Sequence, residues 1–374
     1  MRRTFLAFTG LILGVLGILC TPAAAGVNFN DRQIVVANRG GASISVIDVG
    51  SNDVQTIPMP AGASTPEPMY FWYNQTNDLL FVGDRANNRV VAFNPRTYAV
   101  VNPNIPAGTG VFHMWGSPTT NRLWVVNDTA GRVSVIDMLS QTNVGSFATP
   151  TDLGASAIAH DIVTEPDGSA AYVSIQNTSS ATNDVVVKYS NGAGFPEVDR
   201  GQTGKAPHVG LTHTNNVLYA PSQASNRTDV LSRATLDPAG PAINITNSHG
   251  ISPSEDGNTV YVTTFPGDGV NGLHVINPAT NTLINSVTTP AGPHNVVTST
   301  DDSKLYITHS GATSTLVSIF DISGANRNNP VFLTQVNAGL NPFGILGVPA
   351  VPEPTAAGMV AALAVALAAR RRNR

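Results

Sequence analysis

Five histidines in this chain stand at matching distances from large aromatic residues. His113, His160, His208, His249 and His294 precede Trp124, Tyr172, Tyr219, Tyr261 and Tyr306 by 11 or 12 residues. They account for five of the eight histidines in the sequence. Neutral imidazoles converging from a rigid frame suit a borderline or soft metal, here copper or zinc. His309 closes the segment Tyr306-Ile307-Thr308-His309 on the same face and is a sixth candidate ligand or supporting group. Two further copies of the pattern put Met69, with Glu67 close by, and Phe343 at the equivalent place. The same imidazoles could instead hydrogen-bond neighbouring carbonyls as framework, or face a small ligand in water. The chain has no G-x-S-x-G elbow, no H-E-x-x-H helix and no phosphate-binding glycine loop, so no residue is assigned as catalytic.

A repeated unit must position these residues. One apolar segment recurs as Gln33-Ile34-Val35-Val36-Ala37-Asn38, Leu80-Phe81-Val82-Gly83-Asp84 and Leu123-Trp124-Val125-Val126-Asn127. It returns at Ala171-Tyr172-Val173-Ser174, Leu218-Tyr219-Ala220, Val260-Tyr261-Val262-Thr263 and Leu305-Tyr306-Ile307-Thr308. A second segment tracks it, as in Ile44-Ser45-Val46-Ile47-Asp48 and Val133-Ser134-Val135-Ile136-Asp137, and ends in a turn-forming Asp or Asn. Glu165-Pro166-Asp167-Gly168 and Glu255-Asp256-Gly257-Asn258 read as hairpin turns. Four strands per unit at a period of roughly forty residues predict propeller blades, and the copies number seven. The N-terminal unit lacks a first strand, and Phe343–Val348 supplies a spare one. The expectation is an all-β, seven-bladed propeller over residues 26–350, its ring closed by pairing the two ends. The loops at Asn38-Arg39, Asp84-Arg85, Asn127-Asp128 and Gln176-Asn177 form a polar rim on the histidine face. Asp301, Asp302 and Asp256 fall in turns on the opposite face and read as turn formers rather than calcium ligands.

Composition agrees with that architecture. Of 374 residues, 42% are hydrophobic and only 12% charged, which excludes long disorder and a large helical bundle. The ends read as addresses. Arg2 and Arg3, an apolar run from Phe5 to Cys20, and Ala23-Ala24-Ala25 make a secretory signal helix over residues 1–25, cut after Ala25 by signal peptidase. Cys20 is the only cysteine and leaves with the leader, so no disulfide is expected. Residues 351–374 hold Pro352-Glu353-Pro354, an apolar helix, and Arg370, Arg371, Arg372 and Arg374. The apolar stretch is short for a permanent span and fits transient membrane anchoring. Without both ends the middle carries 14 basic and 23 acidic residues, a balance that excludes a nucleic-acid partner.

The repeats resemble the YVTN family of β-propellers, over roughly residues 31–348. The tail resembles the PEP-CTERM sorting signal of Gram-negative bacteria. That resemblance implies recognition at Pro352-Glu353-Pro354 by an exosortase and release to the cell surface or an exopolysaccharide matrix. The expected role is a binding or scaffold protein for polysaccharide or surface proteins. The alternative is a metal-dependent oxidoreductase or a lactonase-like hydrolase working at the channel mouth.

Overall fold

The computed structural model describes residues 27–351 except Pro118. The predicted leader helix and the apolar tail helix lie outside the described residues. Within those residues, 28 strands form seven four-stranded antiparallel sheets, and four short 3-10 turns are the only helical pieces. None of the described helices is long and apolar enough to cross a membrane.

The sheets are the blades of a propeller. Blade 1 orders its strands Pro342–Val348, Gln33–Asn38, Ser43–Asp48 and Val54–Pro58 from the axis outward. Its inner strand comes from the C-terminal end and its other three from the N-terminal end, with Gln33 opposite Val348. This pairing closes the ring and removes the free edges an open ring would expose. The other six blades run in chain order, with inner strands Pro68–Asn74, Val111–Ser117, Ile158–Thr164, Gly210–Leu211, Ser248–Pro253 and Pro293–Thr298 in blades 2 to 7. Blade 5 has the weakest pairing, with only two residues in its inner strand and two in its outer strand, Ile243–Asn244. Pro207 and the stretch Pro238-Ala239-Gly240-Pro241 flank those strands, and proline cannot donate to a ladder.

The second strands are buried on both faces, which is why they read as unbroken apolar runs. Their aromatic residues bind each blade to the next. Trp124 of blade 3 packs with Ile162, Val173 and Tyr189 of blade 4. Tyr172 meets Leu218 and Leu231 of blade 5, and Tyr261 meets Leu305 and Phe320 of blade 7. The hydroxyls make the same step: Tyr172 donates to the Arg233 carbonyl at 2.6 Å and Tyr261 to the Arg327 carbonyl at 2.9 Å. The Asp and Asn residues closing the third strands accept from their own turns. Asp48 Oδ1 takes the Ser51 N–H at 2.7 Å, and Asn277 Oδ1 takes that of Ala279 at 2.9 Å. Asp301 and Asp256 do likewise with Ser303 and Asn258, and each also pairs with an arginine, Arg32 or Arg327.

Candidate functional site

A shared irregularity at the start of the inner strands builds the site. In six blades the pairing slips there, so that two inner-strand residues oppose one on the second strand. Such a bulge re-aims side chains locally. The two residues are Phe343-Gly344, Met69-Tyr70, Phe112-His113, His160-Asp161, His249-Gly250 and His294-Asn295 in blades 1, 2, 3, 4, 6 and 7. Blade 5 has no slip: Pro207 bridges Ser222, Gly210 pairs with Tyr219, and His208 lies between.

A bulge leaves an N–H without a ladder partner, and a buried N–H must find one. The Ser or Thr of the second strand provides it. Ser174 Oγ accepts from Asp161 N at 2.9 Å, Thr263 Oγ1 from Gly250 N at 3.1 Å, and Thr308 Oγ1 from Asn295 N at 3.1 Å. Neighbouring inner strands touch backbone to backbone at this level. A Cβ on Gly344 would lie 2.0 Å from the Met69 carbonyl oxygen, so only glycine fits.

The bulge corrects the single position inferred from spacing. A spacing of 12 marks the first bulge residue, as in His160, His249 and His294, whereas His113, at 11, is the second. The five rings still converge. Successive centroids are 5.3 Å apart from His113 to His160, 4.8 Å to His208, 4.1 Å to His249 and 4.6 Å to His294. The circuit closes through aromatic rings: Phe343 lies 4.4 Å from His294, and Phe112 lies 6.0 Å from Phe343 and 5.2 Å from His160. One side of the layer is therefore imidazole. The other is Phe343, Met69 and Phe112, which pack together. His309 is not in the layer. Its Nδ1 faces the Ala291 carbonyl at 3.0 Å and its Nε2 the Ser318 hydroxyl at 2.8 Å, so both nitrogens are engaged inside blade 7.

Asp161 organises the imidazole side, and spacing alone did not reveal it. Its Oδ1 lies 2.7 Å from His113 Nδ1 and its Oδ2 3.4 Å from His208 Nδ1. It also accepts the Ile162 and Val209 N–H groups at 2.7 and 3.0 Å. Burial alone would raise this carboxyl, but the two imidazoles outweigh it and hold Asp161 well below the usual carboxylate range. Burial lowers His113, against the pull of Asp161. Burial and neighbouring imidazoles push His160, His249 and His294 well below the ordinary histidine value. These four are uncharged at neutral pH, and an uncharged imidazole keeps one lone pair. The ligand-capable nitrogens of His113, His160 and His208 all lie within 4.8 Å of one another. Gln223, Asn295 and Tyr70 support the layer: Gln223 Oε1 faces His249 Nδ1 at 3.0 Å, Asn295 Nδ2 faces His294 Nδ1 at 2.8 Å, and Tyr70 stacks on His113 with centroids 3.8 Å apart. The signal for Asp161 and Asn295 was present in the dipeptides His160-Asp161 and His294-Asn295.

A cavity of about 90 Å³ adjoins these groups on the axis, lined among others by Tyr70, His113, Asp161, His208, His249 and Asn295. The polar rim is internally paired. Arg39 meets Glu67, and Arg85 meets Asp128, each at 2.7 Å. Their guanidinium groups lie 5.0 Å over the Phe343 ring and 5.2 Å over the Phe112 ring.

No protein-family model matches the chain, and no curated protein matches it in sequence. Many solved structures share its shape. A protein named as a 6-phosphogluconolactonase from Bacteroides fragilis superposes with a TM-score of 0.65 at 13% identity, covering 87% of this chain and all of the other. One of the same name from Bacteroides uniformis gives 0.64 at 15%, covering 85% of this chain and 100% of the other. Hydrazine synthase of Kuenenia stuttgartiensis gives 0.61 at 18%, covering 76% of this chain and 90% of the other. At these identities the likeness is one of fold, and the fold is a seven-bladed β-propeller.

Proposed function

We propose that this protein carries a transition metal, copper or zinc, on the propeller axis, held by His113, His160 and His208. The carrying observation is the mutual approach of their ligand nitrogens to within 4.8 Å, with a buried carboxylate behind two of them. A tetrahedral centre with metal–nitrogen bonds of about 2.0–2.1 Å sets its ligands about 3.3 Å apart, so modest side-chain rotation closes the set. Asp161 keeps the proton of His113 on Nδ1 and leaves the lone pair on Nε2, the carboxylate–histidine arrangement that orients metal ligands. Three protein ligands with an open fourth position are the pattern of a reactive site rather than a structural one. Bound zinc would activate water for hydrolysis, the chemistry suggested by the lactonase names of the structural neighbours. Bound copper would support electron transfer. The sequence alone favours a binding or scaffold role, and the convergence of the imidazoles moves the reading to a metal centre.

The leader and the Pro352-Glu353-Pro354 tail support export, processing by an exosortase, and display at the surface or in the matrix of a Gram-negative cell. Propellers host unrelated activities, so the reading rests on the site and not on the fold. Elemental analysis of untagged protein tests it. One equivalent of copper or zinc is expected, absent from a folded His113→Ala/His208→Ala variant. Protein that stays metal-free after reconstitution removes the metal reading. For the address, a Glu353→Ala/Pro354→Ala variant should remain in the membrane fraction, and unchanged release would remove the sorting reading.

A further inference from the structure

Residues 27–32 and 349–351 lie together on one face, and it is the face away from the axial histidines. The inner strand of blade 1 starts in the axial layer at Phe343 and runs to Val348, a span of about 17 Å. Gln33 pairs with Val348 on one side and Asp48 on the other, so the entry, the exit and the third-strand turn share a level. The exit is clamped. Val351 N–H donates to the Asn30 carbonyl at 2.9 Å, and Arg96 of blade 2 donates to the Pro349 carbonyl at 2.8 Å. Pro352, Glu353 and Pro354 alone separate Val351 from the apolar stretch that starts at Thr355. At full extension that connection reaches about 14 Å. With the apolar stretch in a bilayer, the exit face must therefore stand close to the lipid surface, with the body of the propeller between that surface and the histidine end.

That face is acidic. The hairpins before the second strands and the turns after the third strands lie on it in each blade. Its arginines are paired within the face: Arg32 with Asp301, Arg96 with Asp78, Arg122 with Asp137, Arg233 with Glu165, and Arg327 with Asp256. Lys304 donates to the Val49 carbonyl and to Asn52. Asp31, Asp53, Asp167 and Asp237 are exposed and stand outside these pairs, so the surplus charge is negative. We infer that this face is presented to the membrane while the tail is held there, with the histidine end turned away, and that anionic headgroups repel it once the tail is gone. The inference rests on the anchoring reading of the tail. The tether forces the approach: a connection of about 14 Å is less than twice the Debye length of about 8 Å at physiological ionic strength. Charge supplies the departure, because anionic lipid attracts basic segments and this face offers acids instead. The axial site faces away from the bilayer throughout.

Site-directed labelling tests this. The chain from residue 26 keeps all seven blades and the tail and has no cysteine, because Cys20 is the only one in the sequence. Single cysteines replace exposed alanines: Ala99→Cys or Ala279→Cys on the exit face, and Ala130→Cys or Ala224→Cys at the histidine end. Each carries a fluorophore, the protein is reconstituted in phosphatidylcholine vesicles with a headgroup quencher, and flotation counts the bound chains. Per bound chain, the exit-face labels should be quenched severalfold more than those at the histidine end. Equal quenching, or the reverse order, overturns the orientation. Phosphatidylglycerol vesicles should quench the exit-face labels less than phosphatidylcholine at low salt, and the difference should vanish at about 1 M salt, where the Debye length falls to about 3 Å. Quenching that ignores lipid charge overturns the repulsion. A chain ending at Val351 should float with neither vesicle. If it floats, exposed apolar side chains such as Phe332 and Leu333 give the face a lipid affinity of its own, and the release is overturned. A tail-bearing chain that does not float overturns the anchoring reading and this inference with it.

Discussion

Histidines on the axis, all buried except the half-buried His160, differ from those in the blade wall in what surrounds them. His309 ends the second strand of blade 7, where Asn38 and Asn127 end theirs in blades 1 and 3. All three reach the same two partners. One is a third-strand serine hydroxyl: Ser318 at 2.8 Å, Ser45 at 2.9 Å and Ser134 at 2.7 Å. The other is the backbone just before the inner strand: the Ala291 carbonyl at 3.0 Å, the Gly339 N–H at 2.9 Å and the Ala107 carbonyl at 2.7 Å. Histidine there is one of several solutions to the same hydrogen-bonding problem. On the axis, His160 is half-buried, and His249 Nε2 is buried without a partner among the described residues. The axial set thus keeps a buried ring nitrogen that no protein group engages, whereas His309 in the wall spends both of its own. Repeats copy framework, and chemistry appears where the copies stop agreeing.

Acid should give the largest effect, because it acts on both sets. Burial lowers His274 and His309 to about 4, and the axial imidazoles are lowered as well. Between the folded values and the unfolded value of 6.5, the unfolded chain binds protons that the folded one does not, so stability is lost as pH falls through that window. At pH 5, His274 and His309 alone should remove about 2 kcal/mol each, with the axial set adding to this. Urea unfolding of the metal-free protein at pH 7 and pH 5 measures the sum, and a His274→Asn/His309→Asn variant leaves the axial share alone. A stability independent of pH over this range would contradict the burial of both sets.

Most of the fold was legible because propeller strands leave local marks. A second strand buried on both faces is an apolar run such as Gln33–Asn38, and a third strand ends in an Asx turn such as that at Asp48. Ring closure was legible because a first strand was missing at one end and spare at the other. The site was less so. A bulge adds one residue, which in sequence resembles a one-residue slip of alignment. His113 and His160 therefore looked equivalent, and Asp161, the true counterpart of His113, was passed over. His309 was misplaced for a related reason: its strand position was clear, but the end of a second strand faces the blade wall as readily as the axis.

Asp161 tests the axial side of the comparison. Asp161→Asn keeps the shape and an acceptor for the Val209 or Ile162 N–H, but weakens the hold on the two Nδ1–H groups. Loss of such a supporting carboxylate typically costs 10–100-fold in metal affinity, and about that is expected here. Competition with a chromogenic chelator reads it. Unchanged affinity would make Asp161 a bulge-stabilising group of the same kind as Ser174, and would leave His113 and His208 without a mechanism for orientation.

The smallest effect is expected at His309, and its smallness is the point. His309→Asn installs the residue that blades 1 and 3 already use, with a side chain able to reach both the Ser318 hydroxyl and the Ala291 carbonyl. Unfolding free energy should change by less than about 1 kcal/mol, whereas His309→Ala, which leaves those two groups unpaired, should cost about 1–3 kcal/mol. Neither variant should alter metal stoichiometry. If His309→Asn released the metal while keeping its stability, the division between wall and axis would fail, and the second-strand ends would have to be counted among the groups that shape the site.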